Sequence, residues 1–348
     1  MGKLWQRKAD DKGKLRLQDI SLTDLKITSP SVIFLTGMFT TDGSPAYVAG
    51  ALKALRDIMD TRPGNKSPVD VYAWSHTSLK NVFNVAAYNM RPGKRFSPSA
   101  KSLARAVIMP LVADNFRLDE NGVCAGTPLD PEVARKNLRN VTLFGYSAGT
   151  VVAQECYNAA RSMMRDIGYA DDTSKSLLNE VVLVSTGNVS RPSAEKDRFT
   201  TLYLAANNDL IIRMKNRLWR PLSTLFLRAV HSLNIKPLSD TSLLITATVS
   251  KKKTEKRGDN LEAKIRQSLP WWMLIDSNHE LPRYITRDEE LSQFAKIVQF
   301  SLTNAVARDT SLTPIELLNT PPGVEEKTAE AYSGKISRAL SRVTQKIA

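Results

Sequence analysis

The run Val141, Thr142, Leu143, Phe144 passes without a break into Gly145, Tyr146, Ser147, Ala148, Gly149, and then into a stretch with helically spaced apolar residues, Val151, Val152, Cys156 and Ala159, from Thr150 to Ile167. A short apolar run bounded by a turn suits a strand buried on both faces, and a helix that starts at once after it folds back over the sheet. The same unit recurs. Val32 to Leu35 ends at Thr36, Gly37, Met38 and leads to a helical pattern from Pro45 through Leu52, Leu55 and Ile58 to about Arg62. Val69 to Trp74 ends at Ser75 and His76, and a helix from about Ser99 to Phe116 follows a Pro and Gly loop. Strands are also predicted at Val181 to Val184 and at Leu202 to Ala206, the latter running into Asn207, Asn208, Asp209. This alternation predicts an α/β fold with a mostly parallel central sheet and helices on both faces. Ligands of such sheets bind beyond the carboxyl ends of the strands, where Ser147, Asp209 and His76 fall.

Around this core the chain divides as follows. Residues 1–30 read as an N-terminal extension with a short strand or strands, on a weak apolar pattern at Leu15, Leu17, Ile20, Leu22 and Leu25. The α/β domain is expected over 31–306, interrupted by a basic insertion or lid at about 213–268. That insertion carries an amphipathic helix from about Met214 to Leu233, a strand candidate at Leu243 to Val249 and the charge run at 251–258. Regular structure resumes at Trp271 to Ile275, and a helix opened by Thr286 has Asp288 and Glu289 in its first turn, where the helix dipole favours acids. Residues 307–348 read as a Pro and Gly linker and a C-terminal amphipathic helix striped by Ile336, Leu340, Val343 and Ile347.

Charge narrows the partners. The net charge is +14, and the stretch from Arg213 to Arg266 has thirteen Lys and Arg against four Asp and Glu, so it supplies nine of the fourteen excess positive charges. Such a stretch favours an anionic partner. Trp219, Leu222, Leu225, Phe226 and Val230 between Arg213, Lys215, Arg217 and Arg228 leave two readings open: a peripheral contact with an anionic membrane, or a lid packed on its own domain with a solvated face. Nucleic acid is disfavoured, because no helix-turn-helix, zinc or RNA-binding signature accompanies the charge. No run reaches the roughly 18 to 20 apolar residues of a membrane span. The N-terminus lacks the apolar core of a secretory signal, and two cysteines suit a reducing compartment, so a cytoplasmic location is expected, with export by a signal-less route left open.

A serine hydroxyl is a weak nucleophile near neutral pH and needs a base within hydrogen-bond reach, itself oriented by a third group. Gly-x-Ser-x-Gly supplies the geometry for presenting that serine: a tight turn between strand and helix, with glycines where side chains would clash, and a helix N-terminus facing the developing oxyanion. The bland alternative is a small residue in the glycine turn of an inert scaffold.

Residues Leu143 to Thr150 resemble the nucleophile elbow of the α/β-hydrolase superfamily of esterases, lipases, thioesterases and acyl-transfer enzymes. That superfamily orders its triad Ser, then Asp or Glu, then His, and the resemblance implies Ser147 as nucleophile, Asp209 as orienting acid and His279 as base. It implies oxyanion donors at the backbone N–H of Ala148 and of Met38, or failing that Phe39. Thr36 stands where lipases of the family place a histidine. His76, also at a strand end, is the rival base; His231 reads as a surface residue, Asp276 as too near His279 in sequence to orient it, and Cys156 as core. The expected function is a serine hydrolase acting on a carboxylic ester or thioester, with a lipid among the candidate substrates, through an acyl-enzyme and with no metal or organic cofactor. Two alternatives stay open: an inactive hydrolase-fold module that binds an anionic membrane or partner, and an acyltransferase.

Overall fold

In the computed structural model the described residues are 3–9, 15–21, 25–37, 45–60, 68–75, 97–118, 124–187, 198–206, 234–247 and 293–318. The apolar runs form strands: β1 (Lys3–Ala9), β2 (Leu15–Ile20), β3 (Ser31–Leu35), β4 (Asp70–Ser75), β5 (Ala113–Leu118), β6 (Cys124–Pro128), β7 (Val141–Tyr146), β8 (Val182–Thr186), β9 (Thr200–Ala206), β10 (Asn234–Ser239) and β11 (Ser242–Ala247). Nine of them make one sheet, ordered β10-β11-β9-β8-β7-β3-β4-β1-β2, while β5 and β6 pair separately. Neighbours from β11 through β9, β8, β7 and β3 to β4 run parallel, and an antiparallel partner closes each side: β10 on β11, and the β1–β2 hairpin on β4. The chain therefore has an α/β fold built on a mixed, mostly parallel sheet.

Every residue of β3, β7 and β8 is buried, which is why these strands read as mainly apolar runs with small Ser and Thr among them instead of alternating with charged residues. Helices cover both faces. Helix α1 (Pro45–Asp60) and α7 (Gln293–Ala307) cover one, packing Val48, Leu52, Leu55, Ile297 and Leu302 against Phe34, Val184 and Leu202. On the other lie α2 (Pro98–Leu103), α3 (Met109–Val112), α4 (Pro131–Leu138), α5 (Gly149–Asp166) and α6 (Asp171–Leu178), with Leu103, Leu138, Cys156, Met164 and Leu177 against Ile33, Leu143 and Leu183. Each fully buried Leu, Ile or Phe among these contributes about 1.5–3 kcal/mol.

Four parts of the sequence reading change. The helix expected over Ser99 to Phe116 ends at Val112, and Phe116 lies in β5. Pro110 has no N–H to give the preceding turn; the chain takes it early in α3, after a π-helical turn at Ala104–Ile108, and the stretch that follows pairs with β6. The N-terminal strands are not an appendage: β1 pairs with β4, and Leu4 is buried beside Trp74. Inside the basic stretch, residues 234–247 are the last two strands of the central sheet, because Leu243 and Ile245 alternate inward against β9. At the C-terminal side, Leu317 and Leu318 in the 3-10 turn Glu316–Leu318 are buried in the same core as α7, so the ordered fold continues past residue 306. The amphipathic helices expected at 214–233 and toward Ile347 lie outside the described residues.

The amino ends of β7 and β8 are tied together by charge. The buried carboxylate of Glu180 accepts from Arg135, from Arg139 Nε at 3.0 Å and from Ser311 Oγ at 2.6 Å. Burial pushes this carboxyl up, but the hydrogen bonds from Ser311, Arg139 and Arg135 outweigh it and hold the group below its ordinary value. Arg308, just past α7, donates to the carbonyls of Val141 at 3.0 Å and Glu180 at 2.8 Å.

Candidate functional site

Ser147 stands between the last residue of β7, Tyr146, and the first of α5, Gly149. Its φ is 52°, in the left-handed region that costs an L-residue about 1–2 kcal/mol. Three bonds hold it there. Its N–H donates to Thr186 O at the end of β8 (3.0 Å), and its carbonyl accepts from Thr150 N (3.2 Å) and Thr150 Oγ1 (2.6 Å). The turn is thus fixed to the neighbouring strand on one side and to the first turn of α5 on the other.

Space requires the second glycine of the motif and leaves little room at the first. A Cβ on Gly149 would lie 2.1 Å from Leu35 O and 2.8 Å from Thr36 O, so any side chain there would drive α5 off the end of β3. A Cβ on Gly145 would lie 3.2 Å from Thr150 Cα. A third glycine belongs to the site. A Cβ on Gly37 would meet Tyr146 Cδ1 at 3.0 Å and Ser147 Cβ at 3.1 Å, which puts the loop after β3 directly against the serine.

Ser147 is 5% exposed and Ala148 1%. The eighteen-residue helix α5 directs its positive end toward the serine, and the N–H of Ala148 makes no backbone hydrogen bond among the described residues. That is the setting in which an N–H and a helix dipole stabilise an anion developing beside the serine.

Of the residues expected to act, Ser147 and Ala148 are described and stand together. Asp209, His279, Met38, the alternative donor Phe39, the rival His76, and His231 and Asp276 lie outside the described residues. What precedes some of them is described. β9 ends at Ala206 and β4 at Ser75, and both run parallel within the block that contains β7, so the strands leading to Asp209 and His76 end on the same side of the sheet as Ser147. Cys156 is fully buried in the helical layer and burial pushes its thiol up, which removes it as a nucleophile. Among the described residues no group of His, Cys, Asp and Glu could hold a metal ion. No helix among them is long and apolar enough to cross a membrane.

Sequence reading gave two residues here no role of their own. Thr36, noted only as standing where lipases of the family place a histidine, is completely buried, with its N–H on Trp74 O at 3.1 Å and its Oγ1 without a partner among the described residues. Glu155 lies on α5 and is 4% exposed; it accepts from the Ser97 N–H at 3.1 Å, and burial, only partly offset by Ser97, pushes its carboxyl up. A charged residue in an otherwise apolar helical stripe was the available signal for Glu155. Thr36 gave none, since its burial comes from the approach of α5.

No protein-family model matches the sequence, and no curated protein matches it either.

Proposed function

We propose that this chain is a serine hydrolase of the α/β-hydrolase type that cleaves a carboxylic ester or thioester, a lipid ester among them, through an acyl-enzyme. The observation that carries the reading is the backbone of Ser147. A strained, non-glycine residue at φ 52° is held between a parallel strand and a long helix, beside a glycine, Gly149, that admits no side chain. Strain of this kind persists where the surroundings enforce it and something uses it.

In this reading the Ser147 hydroxyl attacks the substrate carbonyl carbon while His279 takes its proton, and Asp209 holds the imidazole in the tautomer that can accept it. The carbonyl oxygen, now an anion, is stabilised by the Ala148 N–H and by that of Met38. Collapse of the tetrahedral intermediate expels the alcohol or thiol, which takes the proton from His279. Water, deprotonated by His279, then releases the acid and restores Ser147. The chemistry requires no metal or organic cofactor. The basic stretch would bring the protein to anionic lipid.

The test is covalent labelling by a fluorophosphonate probe, which a serine of this kind attacks at phosphorus with loss of fluoride. The wild type labels, and Ser147→Ala, Asp209→Asn and His279→Ala lose all or most of the signal while remaining folded. A folded wild type that never labels, yet binds anionic vesicles with a steep salt dependence, would replace the hydrolase with a binding module. A labelled enzyme that turns over esters only when a second alcohol or thiol is supplied would make it an acyltransferase.

A further inference from the structure

Thr36 follows the last residue of β3, with its N–H still on Trp74 O of β4 at 3.1 Å. Its carbonyl faces the position where Gly149 would carry a Cβ, at 2.8 Å, and the residue after it, Gly37, lies against Ser147. The side chain is completely buried, and its Oγ1 has no hydrogen-bond partner. A buried hydroxyl without a partner is unfavourable, and valine has the same shape, suits a strand end at least as well and lacks the orphan. Among the described residues Ser185 Oγ, on β8, is also buried without a partner, but Ser185 pairs opposite Gly145, two residues before Ser147, and it is the next residue, Thr186, whose carbonyl meets the Ser147 N–H. Among the described residues Thr36 is the one with a partnerless buried hydroxyl whose own carbonyl borders the first residue of α5 and whose following glycine borders the nucleophile.

We infer that Thr36 is a further catalytic residue of the Ser147 site: its hydroxyl donates to the oxyanion that forms when Ser147 attacks, beside the Ala148 N–H at the start of α5. This rests on the hydrolase reading above. The partner missing from the resting protein is the negative charge that exists only along the reaction, and a donor desolvated in advance needs little reorganisation to meet it. The inference specifies the reaction class further. The species bound there is a tetrahedral oxyanion, from a carbonyl or, in the labelled protein, from a phosphonyl group.

The experiment compares the rate of fluorophosphonate labelling in wild type, Thr36→Val and Thr36→Ser, with thermal unfolding of each. Thr36→Val labels more slowly by about 100-fold or more, in the range seen when a single oxyanion donor is removed, and its unfolding temperature is unchanged or higher. Thr36→Ser, which keeps the hydroxyl, stays within a few-fold of wild type. Labelling of Thr36→Val at the wild-type rate overturns the inference and leaves the hydrolase reading standing. Equal slowing in Val and Ser variants with lowered unfolding temperatures also overturns it, because the residue is then structural. Should the Val variant fail to fold, Thr36→Ala removes the hydroxyl by a smaller change and is read the same way. A folded wild type that does not label at all fails the hydrolase reading itself, before Thr36 is in question.

Discussion

Around Glu180, at the amino ends of the parallel strands, two arginines and a serine donate to a single carboxylate, and a third arginine donates to the carbonyls of Val141 and Glu180. Around Ser147, at the carboxyl ends, a serine is held at φ 52° and the hydroxyl of Thr36 is sealed from water without a partner. The two ends of the same sheet thus use buried polarity differently. One end gathers several donors on a single carboxylate and joins β7, β8, α4 and the chain beyond α7, while Asn179 Oδ1 and Arg308 Nε beside it have no partner among the described residues. The other leaves strain and an unmatched donor in place, which a folded protein keeps only where the rest of the structure compensates. What sets the carboxyl end apart is the strained backbone of Ser147, the observation on which the proposed function rests.

The comparison can be broken most severely at Gly149. Alanine there puts a carbon 2.1 Å from Leu35 O, a backbone atom that cannot rotate away. Gly149→Ala should cost about 3 kcal/mol or more, read as a collapse of the unfolding temperature and loss of labelling together; a stable, active variant would mean that α5 does not press on β3 as described. At the other end, Glu180→Ala leaves Arg135 and Arg139 without their acceptor and should cost about 3 kcal/mol, with Ser147 labelling intact in the folded fraction. The sign of its pH dependence follows from the lowered carboxyl. The stability is present above the unfolded carboxylate value, about 4.3, and is lost as pH falls through the folded value below it. The gap between wild type and variant should therefore close in acid, and a gap that widens there would be evidence against the clamp.

How legible this was in the sequence differs by residue. β3, β7, β8 and β9 are legible within a residue or two, because strands buried on both faces carry a continuous apolar run. The turn at Ser147 is legible because strand, glycine turn and helix are contiguous in the chain. α4 carried a readable start, Asp130 before Pro131, and the Asp130 side chain does cap the N–H groups of Glu132 and Val133. It was missed because the helix has only two buried residues, Ala134 and Leu138, too few to show a stripe. The strand at Ser242–Ala247 was legible as a candidate at Leu243 to Val249, but the one before it and the place of both in the central sheet were masked by the charge around them. The Glu180 clamp was invisible in principle: its partners lie 45, 41 and 128 residues away, and nothing in the sequence pairs them. Thr36 belongs to the same class, since its burial is a property of how α5 meets β3.

A smaller effect tests the strained end from within. Ser147→Gly relieves the left-handed backbone, offset in part by the added flexibility of glycine when unfolded, and should raise stability by about 0.5–1 kcal/mol while abolishing labelling. Activity and stability would then move in opposite directions at one residue, the signature of strain kept for use. If Ser147→Gly is less stable than wild type, the hydrogen bonds of the elbow depend on more than backbone geometry.

The smallest expected effect concerns Glu155, which separates burial from pairing. Glu155 and Glu180 are both 4% exposed, yet burial prevails over its hydrogen bonds in the first, raising the carboxyl, and is overcome in the second. A folded-state value above the unfolded one means that the contribution of Glu155 is fully present below the unfolded carboxylate value and is lost as pH rises through the folded value. At about pH 7 its charge therefore sits at a cost. Glutamine can still accept from the Ser97 N–H through its carbonyl oxygen, so Glu155→Gln should raise stability by about 1 kcal/mol or less near pH 7 and leave it unchanged near pH 4, the reverse of the Glu180 pattern. Thermal melts of the two variants across that range would cross if pairing, and not depth of burial, decides what a carboxylate does in this fold. Parallel curves would show that the arginines around Glu180 add nothing that burial alone does not explain.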